Sequence, residues 1–301
     1  MAKSVTGNRA KSTKKAVRSK RAALSVSKSA SKSGPKPKAI AKSAAKTSKP
    51  AQKPVELHYW PTGNGRKILI FCLESGVPYE IHPVNINKGD QFKPAFLKIS
   101  PNNRMPAIID PQGPGGKPIS VFESGAILQY LGRKFGKFYP HEERARTEVD
   151  EWLFWQVGGL GPMAGQAHHF RGYAQEVLKE PIERIEYGMT RYTNEVSRLY
   201  GVLDRRLKSR KFVAADEYTI ADMAIWPWIV PWQRQGQNLD DYPSLKAWFA
   251  RIEARAAVQK SGDIGRAIME AARVEEERLS EAEKLRRGKQ LFMQGGKRQS
   301  K

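Results

Sequence analysis

Strand signals stop at residues 138–141, Phe-Tyr-Pro-His. Before that joint, short apolar runs of strand length alternate with helical patterns; after it, only long helical patterns remain. A chain patterned this way builds a small α/β layer first and an all-helical body second. Residues 56–60 alternate as a strand, and Pro61-Thr-Gly-Asn-Gly65 is a turn by its Pro, Gly and Asn content. Residues 66–74 predict a buried helix stopped by Gly76 and Pro78. A strand at 79–84, a short helix at 91–99, strands at 107–109 and 119–122, and a helix from Ser124 to about Lys134 follow.

The second half predicts helices at about 143–170, 181–208, 219–235, 243–257 and 262–287, packed around Trp152, Trp155, Trp226, Trp228, Trp232 and Trp248. Thr219-Ile-Ala-Asp222 opens one of them as a capping box with Asp in the usual Glu place, a folding signal rather than a chemical one. The expected architecture is a thioredoxin-like α/β domain over 56–138 and an all-helical domain over 139–273. A basic tail precedes them at 1–55, and a helical to disordered basic tail follows at 274–301.

Charge separates along the same boundaries. The chain carries a formal charge of +23, yet residues 1–55 hold sixteen Lys and Arg with no acid and residues 284–301 hold seven with none. Residues 56–283 therefore balance thirty bases against thirty acids, which argues against a nucleic-acid-reading core. The Lys-, Ser-, Ala- and Pro-rich leader reads as a solvated, disordered extension able to touch a polyanion weakly. It also resembles an organelle transit peptide, although its Lys dominance and Pro-Lys repeats depart from the Arg-rich amphipathic pattern. Cys72 is the only cysteine, so no intramolecular disulfide and no Cys-x-x-Cys pair is possible; this fits a reducing, cytoplasmic setting. No run approaches the ~18 apolar residues that span a bilayer.

Four stretches resemble the cytosolic glutathione transferases. They are Asn102-Asn-Arg-Met-Pro-Ala107, Phe122-Glu-Ser-Gly-Ala-Ile127, the capping box, and Trp155-Gln-Val-Gly-Gly-Leu-Gly-Pro-Met163 with His168-His-Phe170. The last is similar to the bacterial Nu class and its fungal nitrogen-regulator relatives. The resemblance covers about 56–260. It implies glutathione as cosubstrate, a cis bond before Pro106, a Met105 backbone that pairs with the ligand peptide, a far wall including Met163 and His169, and a homodimer.

Physical chemistry points to the same residues. Glutathione carries two carboxylates, an ammonium and a thiol. Ser124 stands at a helix N-terminus, where free amides and the dipole favour an anion, and Glu123 beside it suits the ammonium; a plain helix cap is the alternative for Ser124. Gln91 and Arg104 are candidates for the glycyl carboxylate. The turn at 61–65 offers Thr62 and Asn64 as donors that favour a thiolate over a thiol of ordinary pKa ~8.5, or else as simple turn formers. Cys72, in the middle of an apolar helix, reads as a small hydrophobe. His168 and His169 point about 100° apart on a helix and neither has a second ligand at i+4, so no metal site is expected.

Two functions follow. One is an enzyme that reduces disulfides with glutathione thiolate, with weaker conjugation or peroxidase activity toward electrophiles. The other is a non-catalytic glutathione-binding protein whose basic tails tether it to a polyanion.

Overall fold

The computed structural model describes residues 52–292, so the expectations for the leader at 1–51 and for the tail at 293–301 lie outside the described residues. β1 (Val55–Tyr59) begins one residue earlier than its alternation suggests and buries Val55, Leu57 and Tyr59 on one face. The chain then crosses over through α1 (Gly63–Ser75) to β2 (Tyr79–Pro83), which lies parallel to β1 with Leu57 opposite Ile81. β3 (Ala107–Asp110) pairs antiparallel with β1, Leu57 facing Ile108, and β4 (Ile119–Phe122) pairs antiparallel with β3. The sheet order is β2-β1-β3-β4, a thioredoxin-like layer.

α1 claims Gly63, Asn64 and Gly65 from the expected turn. Its residues Ile68, Leu69, Ile70, Phe71 and Cys72 are all buried, because it packs against β1 and against helices of the second half. The helix expected at 91–99 is shorter. Lys93 is extended, as a residue before proline tends to be, so α2 starts only at Pro94 (Pro94–Leu97) after two single 3-10 turns. α3 (Ser124–Phe135) packs on α1 and completes the layer.

The second half is helical throughout. The single helix expected at 143–170 is instead α4 (Glu143–Trp155), a π turn at Gln156–Leu160, α5 (Gly161–His168), a second π turn at His169–Tyr173, and the short α6 (Ala174–Glu176). α7 (Ile182–Leu207) and α8 (Ile220–Ile229) follow, then α9 (Pro243–Glu253). The pattern at 262–287 proves to be two helices, α10 (Ala256–Glu276) and α11 (Glu281–Phe292). Among the described residues, no helix is long and apolar enough to cross a membrane.

α8 is apolar on every side and enclosed, and its start is fixed by the capping box. Asp222 accepts from the Thr219 amide at 3.0 Å, the Val213 amide at 3.0 Å and the Trp248 indole at 2.8 Å, all inside the core. Burial lifts its carboxyl from 3.8 to about 6 despite these donors. Asp222→Asn turns an NH2 group toward donors and should cost on the order of 3 kcal/mol, read by denaturant unfolding at neutral pH. The raised value means that the protonated form suits the fold better. This contribution is full below 3.8 and is lost as pH rises through about 6. Wild-type stability measured relative to Asp222→Asn should therefore decline across that window; a flat difference would contradict the assignment.

Candidate active site

Thr62 has an extended backbone and caps α1, its hydroxyl oxygen accepting from the Gly65 amide at 3.2 Å. The same hydroxyl donates toward the Met105 sulfur at 3.4 Å, which joins the loop before β3 to the first turn of α1. The Met105–Pro106 peptide is cis. Gly65 has no room for a side chain, because a Cβ there would lie 2.2 Å from the Trp60 carbonyl oxygen. Here α1 presents backbone amides and the positive end of its dipole. The Thr62 amide is not among the free donors, since it is spent on the Trp60 carbonyl at 2.7 Å.

Asn64 has one fixed side. Its Oδ1 accepts from the Trp228 Nε1 at 3.0 Å. An indole N–H can only donate, so the amide oxygen must face Trp228 and the NH2 must face away from it. The indole lies in a slot of three glycines: a Cβ on Gly63, Gly165 or Gly161 would come within 3.1, 3.4 or 3.5 Å of the ring. Trp228 is thus held by the starts of α1 and α5, and it holds Asn64 in turn.

A second cluster lies one turn further along α1. Lys67 is enclosed, and its Nζ donates to the Ser124 Oγ at 3.1 Å and to the Gln156 Oε1. Burial pushes the Lys67 ammonium down to about 7, while the charge of Glu123 opposes the shift. Glu123 precedes α3 at φ 68, ψ 116, and its carboxylate accepts from the Asn102 side-chain amide at 3.2 Å. Thr62, Asn64, Met105 and Ser124 are therefore gathered around one helix, with Glu123 at its rim.

Other expected residues stand elsewhere. Arg104 is exposed, and its guanidinium has no partner among the described residues. Gln91 is buried, its NH2 donating to the Ile86 carbonyl at 3.4 Å and its Oε1 left without a partner. The free atom is an acceptor, so Gln91 would have to turn its amide to donate to a glycyl carboxylate. Met163 stands on the α7 side of α5. Gly161 and Gly165 face Trp228, so a residue midway between them on α5 turns to the opposite side, and Met163 lines a depression with Tyr187, Tyr192 and Arg198 of α7. His169 stands edge-on to Phe170, which stacks on Tyr192, again on the α7 side. His168 stacks on Tyr173. Among the described residues, no group of His, Cys, Asp and Glu side chains is arranged to hold a metal ion.

Sequence alone gives Trp228, Lys67 and Gln156 no place in the site itself. Lys67 follows Arg66 ahead of the apolar run that begins at Ile68 and reads like any lysine whose stem lies along a helix; Trp228 is one of several tryptophans in the second half.

Family models described as glutathione S-transferase, N-terminal domain and C-terminal domain match residues 64–134 and 175–256. The disulfide-bond oxidoreductase YfcG of Escherichia coli (strain K12) is 46% identical over 218 residues, covering 72% of this chain and 95% of that protein. A glutathione transferase family member from Pseudomonas fluorescens, solved with two glutathione bound, is 42% identical with a TM-score of 0.64, covering 70% of this chain and 94% of that one. A glutathione transferase from Pseudomonas putida, solved with one glutathione disulfide per subunit, is 41% identical with a TM-score of 0.65, covering 70% and 93%.

Cys72 is sealed in the core, and burial pushes its thiol up to about 12. A thiol this protonated and this enclosed is inert. Ellman's reagent should label native protein at least ~100-fold more slowly than unfolded protein, in proportion to the rare opening of the core. Comparable rates in the two states would show that the site is open.

Proposed function

The chain belongs to the glutathione S-transferase family, and we propose that it is an enzyme that binds glutathione and reduces disulfide bonds with its thiolate, with weaker conjugation or peroxidase activity. The observation that carries this reading is the Asn64 amide, aimed by Trp228 at the start of α1, in a protein whose one cysteine is sealed. A donor group is thus prepared for a sulfur anion that the protein itself does not supply. The relative named as a disulfide-bond oxidoreductase and the relatives holding two glutathiones or glutathione disulfide support the same chemistry.

In this reading the glutathione sulfur lies beside the first turn of α1. The Asn64 NH2 and the helix dipole favour its thiolate, with the Thr62 hydroxyl a second donor once it turns from the Met105 sulfur. The Met105 backbone pairs with the cysteinyl peptide, Ser124 holds the γ-glutamyl carboxylate, Glu123 faces the ammonium, and Arg104 takes the glycyl carboxylate. The thiolate attacks one sulfur of the substrate disulfide, forming a mixed disulfide and expelling the other sulfur as a thiolate. A second glutathione thiolate attacks the glutathione sulfur of that mixed disulfide and releases the remaining substrate thiolate. Two glutathiones leave as glutathione disulfide, and the substrate gains two electrons and two protons.

The same proposal divides the chain at 56–138 and 139–273 and pairs it as a two-fold homodimer in the cytoplasm. The basic tails contribute at most a weak contact to a polyanion.

Turnover of 2-hydroxyethyl disulfide with glutathione tests the reading. Asn64→Ala should lower kcat/KM by roughly 100-fold, the usual cost of one donor to a sulfur or oxygen anion, and Trp228→Phe by a smaller factor. Cys72→Ala should leave turnover intact. Loss of turnover with Cys72→Ala in folded protein, or full turnover with Asn64→Ala, would sink the proposal.

A further inference from the structure

The buried cluster around Lys67 has more donors than acceptors. An ammonium carries three N–H groups and no acceptor, and Lys67 spends two of them, on the Ser124 and Gln156 oxygens. Because the Ser124 Oγ accepts from Lys67, its own proton must point elsewhere, and it meets no acceptor among the described residues. The Gln156 Nε2 is buried and also without an acceptor. The third Lys67 N–H and the Ser124 hydroxyl are therefore left over beside the N-terminus of α3, where the helix adds its own positive end, while the Gln156 Nε2 lies against Gly161. Among the described residues no carboxylate touches Lys67; Glu123 acts on it only through space and is itself exposed. A cluster built this way is matched in charge and donors to an anion at the Ser124 hydroxyl.

The clamp comes from the other half of the molecule. Gln156 opens the π turn between α4 and α5, a local widening of the helix of a kind often found at functional sites. The π turn leaves Gln156 fully enclosed, with its amide against Gly161, where a Cβ would lie 2.7 Å from Nε2. The Gln-Val-Gly-Gly-Leu-Gly stretch thus has a physical task, to seat one glutamine against one lysine.

Resting on the glutathione reading above, we propose that Lys67, clamped by Gln156, is a positioning residue that turns the Ser124 hydroxyl proton toward the α-carboxylate of the γ-glutamyl group and supplies the counter-charge beneath it. The site is thereby specific for thiol peptides that carry this carboxylate. The low value of the Lys67 ammonium, about 7, agrees with a charge that is costly until such a partner arrives.

The test compares glutathione with γ-aminobutyryl-cysteinyl-glycine, which keeps the amine, thiol and glycine and lacks only the α-carboxylate. Dissociation constants are measured by calorimetry on the full chain. Wild type should prefer glutathione by about 100-fold, the scale of a charge-assisted hydrogen bond in a closed site. Lys67→Met, similar in length and uncharged, should cut the preference to below about tenfold while changing analogue affinity by less than about threefold. Ser124→Ala should cause the same loss, and combining the two should add little more. If Lys67→Met does not fold, Gln156→Leu serves instead, with a smaller drop in the same ratio. Equal weakening of both ligands with the preference intact would reduce Lys67 to a structural role and overturn the inference, leaving the glutathione reading standing. A folded wild-type protein that binds no glutathione would overturn both.

Discussion

The carboxylate of Asp222 is the fixed point from which the site is suspended. It is fully enclosed, and it draws the Thr219 and Val213 amides and the Trp248 indole onto one side chain. Desolvation outweighs these donors, as the rise to about 6 shows, so the carboxylate is not there for net electrostatic gain. What it fixes is where α8 begins. α8 carries Trp226, whose ring stacks on Phe249 and lies under the Arg66 guanidinium, and Trp228, which reaches Asn64. A shift of this helix by one residue would turn both tryptophans about 100° away from α1.

α1 is where the two halves become one device. Thr62 and Asn64 lie in its first turn and meet Met105 and Trp228; Lys67 lies a turn later and meets Ser124 and Gln156. Each contact set pairs one partner from the sheet half with one from the helical half. The helical half supplies donors and acceptors that orient site groups without standing at the proposed sulfur position. This explains why α1 is buried on every side and why glycines crowd its start: Gly63 admits the indole and Gly65 lets the helix sit against the Trp60 carbonyl. Either glycine replaced by a larger residue would push the helix start away from its partners.

The sequence was legible where one physical signal dominates. Strands at 79–83, 107–110 and 119–122 were read to within a residue because short apolar runs were bounded by Gly, Pro and charged residues. The capping box was readable because it is local. The π turns were not, since Gly158 and Gly159 leave the helical period intact and only backbone geometry shows the widening. Lys67 and Gln156 are 89 residues apart, and nothing local marks either as buried. Gln91 and Met163 show the same limit from the other side: where each side chain points depends on neighbours that the sequence does not place. Asn64 was legible as a donor, but the group that aims it lies 164 residues away.

Glu123 shows how strain and chemistry share a residue. Its φ of 68 puts it in the half of backbone space that side chains avoid, at a cost of about 1–3 kcal/mol that glycine would escape. The neighbouring helices and strands accept glycine freely at turns such as Gly76 and Gly136, both at positive φ. A glycine at 123 would relax the backbone and keep the turn into α3, so local geometry alone does not account for a glutamate there. Its carboxylate does two things a glycine cannot. It ties the Asn102 amide, and with it the loop that leads to Met105, to the start of α3. It also places a negative charge near the enclosed Lys67 ammonium, which favours the charged form that burial opposes. The strained turn thus ties the loop before Met105 to the start of α3 and sets a negative charge near Lys67, and the strain is offset by contacts that only a side chain can make.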